Sequence, residues 1–151
     1  MSERIDFYHA APAGMKALGG VYSYLSQTDL SNALLELVFL RVSQINGCAY
    51  CIDMHTKALH KAGLAWEKIV LVQVWPETET LFSEKEKAAL AWAETLTLIA
   101  ERGAPDPAFA SLSAHFSPKE IVDLNIAIGL MNAYNRMAIS LRKLPDSLLH
   151  A

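Results

Sequence analysis

Residues 31–63 read SNALLELVFLRVSQINGCAYCIDMHTKALHKAG. The stretch predicts a helix from about 30 to 45, a break at Asn46 and Gly47, and a second helix from about 48 to 62 that stops at Gly63. A connection this short makes the two helices antiparallel neighbours. Cys48 and Cys51, the chain's 2 cysteines, then fall in the first turn of the second helix. There the unpaired N–H groups and the positive end of the helix dipole favour a thiolate. His55 stands four residues past Cys51, one turn on and on the same face. Cys48 is separated from His55 by roughly 10 Å of helical rise, so only Cys51 is expected to hydrogen-bond the imidazole directly.

Helix signals continue on both sides. A helix is predicted around residues 11–26 and a short one around 66–74. SEKE at 83–86 and SPKE at 117–120 both match the capping box, in which a serine oxygen and a glutamate three residues on satisfy each other's backbone donors. Pro118 takes the first helical position, where its missing N–H costs nothing. Ala88, Ala89, Trp92, Leu96 and Ile99 form one stripe of an amphipathic helix, whereas residues 121–141 are apolar on nearly every side. That last helix is expected to be central or shared between subunits. WPETETLF (75–82) and ERGAPDP (101–107) are the expected loops. With no internal repeat and no long linker, the expectation is an all-α chain, residues 1–151 forming a single-domain bundle of about six to seven helices.

A chain of 151 residues can bury a sizeable core without a disulfide staple. Hydrophobic residues make up 52% and mean hydropathy is +0.20, which suggests apolar surface hidden between subunits and hence an oligomer. A net charge of -3 gives no electrostatic case for nucleic acid. The start, MSERIDFYHAAPAGMK, lacks the apolar core of a secretory signal, so a cytoplasmic location is expected. LNIAIGLMNAY (124–134) is too short for the roughly 20 residues of a membrane span. In a reducing compartment a close cysteine pair is more often catalytic, redox-sensing or metal-binding than structural.

Two cysteines at i and i+3 on a helix can approach within disulfide range, so the sulfurs could join and part with little backbone motion. Glu36 is a lone carboxylate in the apolar LLELVFL (34–40), on the helix expected to pack against the one carrying His55. A thiol of pKa about 8.5 is roughly 3% ionised at pH 7; lowering the pKa by about 2 units gives about 25-fold more thiolate, of which a Brønsted slope of about 0.45 removes roughly 8-fold. The net gain is small. Positioned proton transfer is commonly worth about 10² to 10⁴, so His55 and Glu36 would contribute more by delivering a proton to a leaving oxygen.

The order Glu36, Cys48, Cys51, His55, with RVSQINGCAYCIDMHTKALHKAG (41–63) around it, resembles the glutamate, cysteine-pair and histidine signature of the alkyl hydroperoxidase D-like (AhpD-like) proteins in the carboxymuconolactone decarboxylase superfamily. FSEKEKAALAWAETLT (82–97) and NAYNRMAI (132–139) resemble its downstream segments, and the likeness runs from about residue 20 to 140. The resemblance implies an all-helical homo-oligomer, trimer or hexamer, that reduces hydroperoxides in antioxidant defence without a cofactor or metal. It implies Cys51 as the peroxidatic thiolate, Cys48 as the resolving thiol, His55 and Glu36 as the proton relay, and an external dithiol as reductant. The best-known members carry a second histidine just before the second cysteine; Tyr50 stands there in this chain, which implies a simpler relay, a lower rate or a different substrate.

Other readings of the same residues stay open. Cys48, Cys51, His55 and either His60 or Glu36 could hold zinc, making the chain a redox-sensing or zinc-holding oligomer without turnover. Members without the cysteines decarboxylate a lactone, so chemistry on a small acid or lactone is a third possibility. The two cysteines could also be small buried apolar residues, and Glu36 could pair with Arg41 or Arg136. Tyr50 could line a substrate path or simply fill space. Trp66, Trp75 and Trp92 are read as core or interface, and His9, His60, His115 and His150 as surface or packing residues. Asn132, Asn135 and Arg136 could bind something polar or satisfy buried backbone.

Overall fold

The computed structural model describes residues 2–149. Among them are ten α-helical segments, one 3-10 turn and no strand: α1 (Phe7–Ala10), α2 (Pro12–Leu25), α3 (Asn32–Asn46), α4 (Ala49–Lys61), α5 (Trp66–Leu71) running into the 3-10 turn (Val72–Glu77), α6 (Glu84–Thr97), α7 (Ile99–Arg102), α8 (Asp106–Ser113), α9 (Pro118–Leu141) and α10 (Asp146–Leu149). The starts follow the expected chemistry. Ser31 caps α3 by accepting from the Leu34 N–H at 3.2 Å, and Ser83 with Glu86 and Ser117 with Glu120 form the two reciprocal capping boxes.

The all-helical expectation holds, with the longer helices where periodicity placed them. The differences are local. The segment expected as one loop around 101–107 divides: Pro105 is the N-cap of α8, so Asp106 and Pro107 open a helix instead of closing a loop. Trp75, Pro76 and Glu77 are wound into the 3-10 turn. The stripe after the first capping box ends early, because α6 stops at Thr97 and Ile99 lies half-exposed in α7.

Helix α3 is the hub, packed against α4, α6 and α9. Its Leu37, Val38 and Val42 are fully buried, as are Leu124 and Ala127 of α9 and Ala89, Leu90 and Ala93 of α6. Each large side chain removed from water contributes about 1.5 to 3 kcal/mol, which makes the α3–α9 contact the platform on which α4 is held. Helix α9 is central, as expected, though Val122 and Ile139 leave one side of it exposed. Trp92 is buried and donates to Asn125 at 2.7 Å; Trp75 donates to Glu94, which also takes Arg41 at 2.8 Å. Trp66 departs from the core reading: it is half-exposed and stacks on His60 at 4.2 Å. His9, His60 and His115 are exposed, and His150 lies outside the described residues. No helix among the described residues is long and apolar enough to cross a membrane.

Candidate active site

The site begins at Gly47. Its φ of 70° and ψ of 34° are left-handed, a conformation glycine takes without the steric cost of a Cβ. The Cys48 N–H then reaches back to Ser43 O at 2.9 Å and the Gly47 N–H to Gln44 O at 3.2 Å, the paired bonds of a Schellman ending. Closing α3 in this way makes Cys48 the N-cap of α4 and puts Cys51 in its first turn. Both thiols are free and buried, at 1% and 2% exposure, inside the core shared by α3, α4 and α9.

The two thiols act directly on each other. The Cys51 thiol, close by in sequence and in the core, is the first cause holding the Cys48 pKa down at about 7, against the opposing effect of burial. Cys48 makes no full capping hydrogen bond, but the Tyr50 and Cys51 N–H groups lie near enough to its sulfur to favour the anion further. Cys51 is pushed up, first by the Cys48 sulfur and then by burial. Cys48 is therefore the more easily ionised sulfur.

Cys51 is the one that faces a cavity. A space of about 330 Å³ opens over it, within the range of small-molecule sites. Its walls include Tyr8, Tyr22, Tyr50 and Tyr134, together with Met15, Met54 and Met131, brought from α1, α2, α4 and α9. Burial is the first cause raising the Tyr50 phenol to about 12, and it raises Tyr134 as well, so these two walls are neutral near pH 7.

One turn further along α4, His55 is almost completely buried and its Nδ1 lies 2.7 Å from Glu36 Oε2. A carboxylate only accepts, so Nδ1 carries the proton of this bond and Nε2 presents its lone pair when the ring is neutral. The second Glu36 oxygen accepts from Tyr22 Oη at 3.2 Å, and Phe39 lies beside both the Tyr22 and His55 rings. Glu36 pairs with neither Arg41, which takes Glu94, nor Arg136, which donates to Asn132.

The expected direct bond between Cys51 and His55 is not formed. Nε2 is buried and without a hydrogen-bond partner. One helical turn brings the two residues to the same face, but the ring is swung toward α3 by Glu36 and the Cys51 thiol is drawn to Cys48. The zinc arrangement is not assembled either: His60 points out to stack on Trp66, and among the described residues no three His, Cys, Asp or Glu side chains converge on a common point. The sequence did not single out Tyr22 as the second partner of Glu36, nor Tyr8 and Tyr134 as cavity walls. Tyr8 and Tyr134 come from helices remote in the chain, and Tyr22, on the helix just before α3, carries no local spacing that marks it.

A family model described as the carboxymuconolactone decarboxylase family matches residues 10–95, which include the helix pair and all four motif residues. The chain belongs to that family. Among members of the carboxymuconolactone decarboxylase family and their structural neighbours, YdfG of Bacillus subtilis (strain 168), an uncharacterized protein, is 38% identical over 141 residues, covering 93% of this chain and 95% of its own. The crystal structure of ATU0492 from Agrobacterium tumefaciens, a protein of unknown function provisionally assigned to antioxidant defence as AhpD, superposes with a TM-score of 0.91 at 42% identity, covering 95% of this chain and 98% of its own. A peroxidase-related protein from Ralstonia eutropha, described as an alkylhydroperoxidase AhpD core, has a TM-score of 0.80 at 20% identity over 92% of this chain and 74% of its own, a likeness of fold alone. The fold is AhpD-like.

Proposed function

We propose that this carboxymuconolactone decarboxylase family chain is a cofactor-free dithiol peroxidase that reduces small organic hydroperoxides, working as a single domain within a cytoplasmic homo-oligomer. The observation that carries the reading is the placement of the two buried sulfurs at the start of α4, Cys51 facing an apolar cavity and Cys48 enclosed in the core.

With Cys48 ionised, the pair holds one proton between two sulfurs. Passing that proton from Cys51 to Cys48 leaves a Cys51 thiolate at the cavity. It attacks the hydroxyl oxygen of ROOH; the S–O bond forms, the O–O bond breaks, and the alkoxide takes a proton to leave as ROH. The proton comes from the Cys48 thiol, which becomes the thiolate. Cys48 then attacks the Cys51 sulfenic acid, forming the disulfide and expelling hydroxide, which becomes water by taking one further proton. His55 in its imidazolium form, oriented by Glu36, supplies that proton from Nε2. In sum the pair loses two electrons, the peroxide gains them, and one proton enters from the relay. An external dithiol returns the disulfide to two thiols by exchange.

The cavity supports an uncharged organic R group over a charged one, because its tyrosine and methionine walls offer a carboxylate or phosphate no cation. Tyr50, in the position where better-known family members carry a second histidine, contributes a wall of this cavity. The relay is accordingly assigned to Glu36 and His55 alone.

The test is consumption of cumene hydroperoxide with a small dithiol as reductant. Turnover by the wild type and its abolition in Cys51→Ser are expected. Equal inactivity of the two proteins, with stoichiometric zinc in the purified wild type, would favour the zinc-holding reading. Activity on a small acid or lactone that survives both Cys48→Ser and Cys51→Ser would replace the peroxidase reading altogether.

A further inference from the structure

The four tyrosines on the cavity over Cys51 are not equivalent. Among the described residues, Tyr22 is the one of them whose hydroxyl reaches a side chain: Oη lies 3.2 Å from Glu36 Oε1 and donates to it. Burial first and the Glu36 charge second raise this phenol to about 12, so it remains a donor through neutral pH. Its ring stacks on Phe39 with centroids 5.9 Å apart, and Phe39 in turn lies 5.3 Å from the His55 ring. Tyr22, Glu36, His55 and Phe39 thus close a circuit of contacts. Of the four, Tyr22 is the member that also lines the cavity.

The core does not hold Tyr22 in this place, for it is 41% exposed against 2% for Phe39 and 1% for His55. A hydroxyl so exposed could turn to water, yet it is turned to the carboxylate. Glu36 has a use for the second contact. The terminal torsion of a glutamate is broad, so a single bond to His55 Nδ1 leaves the carboxylate free to pivot, and a donor on its other oxygen fixes its plane. Tyr22 also bounds a smaller recess, about 30 Å³, that opens beside Glu36. It is the residue common to both spaces, which puts its side chain at the boundary between the cavity and the carboxylate. The bond is a soft one, at 3.2 Å against 2.6 Å for the Tyr24 Oη to Asp123 Oδ1 contact. Its effect is therefore on the scale of one ordinary net hydrogen bond.

We propose that Tyr22 is a positioning residue with two separable duties: its hydroxyl aims the Glu36 carboxylate at His55, and its ring forms the part of the cavity wall that seats the organic group of a hydroperoxide. The effect on turnover rests on the dithiol reading above, whereas the aiming of Glu36 is a property of the resting protein. Tyr22 acts through Glu36 and His55 and transfers no proton itself.

Two variants divide the duties, since Tyr22→Phe removes the hydroxyl and keeps the ring while Tyr22→Leu removes both. With cumene hydroperoxide, Tyr22→Phe is expected to lower kcat about 5-fold and leave KM within about 2-fold of the wild type; Tyr22→Leu should add a rise in KM of about 5-fold. In a His55→Ala background Tyr22→Phe should lower kcat no further, because the group it acts through is gone. The second measurement needs no peroxide: exchange of the His55 Nδ1 proton with water, followed by NMR, is expected to be about 5-fold faster in Tyr22→Phe. A wild type that turns over no hydroperoxide would sink the peroxidase reading and leave this exchange rate to decide the aiming of Glu36. A folded Tyr22→Phe protein with wild-type exchange overturns the proposal, and so does a kcat loss of equal size with and without His55, however efficient the wild-type peroxidase.

Discussion

His55 Nδ1 stands 2.7 Å from Glu36 Oε2, a bond between α4 and α3 that only the reversal at Gly47 makes possible. Because α4 runs back along α3, residues a few turns on either side of the glycine meet, and the one carboxylate in LLELVFL meets the one fully buried imidazole among the described residues. The bond fixes which ring nitrogen is occupied and leaves Nε2 for proton transfer.

If proton delivery is the role of this pair, His55→Ala should separate two assays made on the same protein. Peroxide turnover, read as kcat, is expected to fall by about 10²-fold or more, because the relay protonates the hydroxide that leaves when the disulfide forms. Alkylation of the dithiol by iodoacetamide at pH 7 needs no such proton and should slow by less than about 5-fold, since anion formation and nucleophilicity largely offset each other. Equal losses in the two assays would remove the relay from the account.

The ionisation of the pair sets the pH dependence. Cys48 is lowered to about 7 by the Cys51 thiol, and Cys51 is raised by the Cys48 sulfur and by burial, so one proton leaves near neutrality and the second does not. Alkylation of the reduced protein should rise through pH 7 and level off above about pH 8, falling about tenfold per unit on the acid side. Cys48→Ser leaves a buried Cys51 without its easily ionised partner, and its midpoint should lie above the wild-type value. A Cys48→Ser midpoint at or below 7 would show that Cys51 ionises by itself.

Gly47→Ala tests the turn that places the sulfurs. An added Cβ would meet no atom within 4 Å, so its cost is that of the left-handed backbone alone, about 1 to 2 kcal/mol. Urea denaturation should show a loss of that size with an unchanged m-value. A neutral substitution would mean that the Schellman ending is not what fixes Cys48.

Tyr50→Ala enlarges the cavity over Cys51 without touching the Glu36–His55 bond. KM for cumene hydroperoxide should rise several-fold, on the scale of losing part of an aromatic wall worth about 1 kcal/mol, while the thiol midpoint stays where it was. A fall in kcat with KM unchanged would assign Tyr50 to the chemistry and not to the wall.

What could be read from the chain and what could not divide along sequence distance. Ser83 with Glu86, Ser117 with Glu120, and Asn46-Gly47 are local signals whose backbone bonds involve near neighbours, and they give helix starts and stops close to those observed. Glu36 and His55 were also legible, because a single tight turn between two helices fixes which residues pair. The partnership of Cys51 was not. Two residues one turn apart share a face, but which way each side chain swings depends on Cys48 and Glu36, and spacing does not choose between them. Segment 106–113 was hidden for a different reason: two prolines flanking Asp106 look like a loop when in fact the first caps the helix and the second sits in its opening turn. Trp66 illustrates the limit of composition, since an aromatic residue at a helix start gives no sign of facing outward.

The most direct measurement counts free thiols in the reduced protein before and after one equivalent of cumene hydroperoxide. Both thiols of each chain are expected to disappear together and to return on treatment with a dithiol, and in Cys48→Ser Cys51 is expected to stop at the sulfenic acid. Thiols that survive the oxidant unchanged, or that vanish without returning on reduction, would contradict the peroxidase reading.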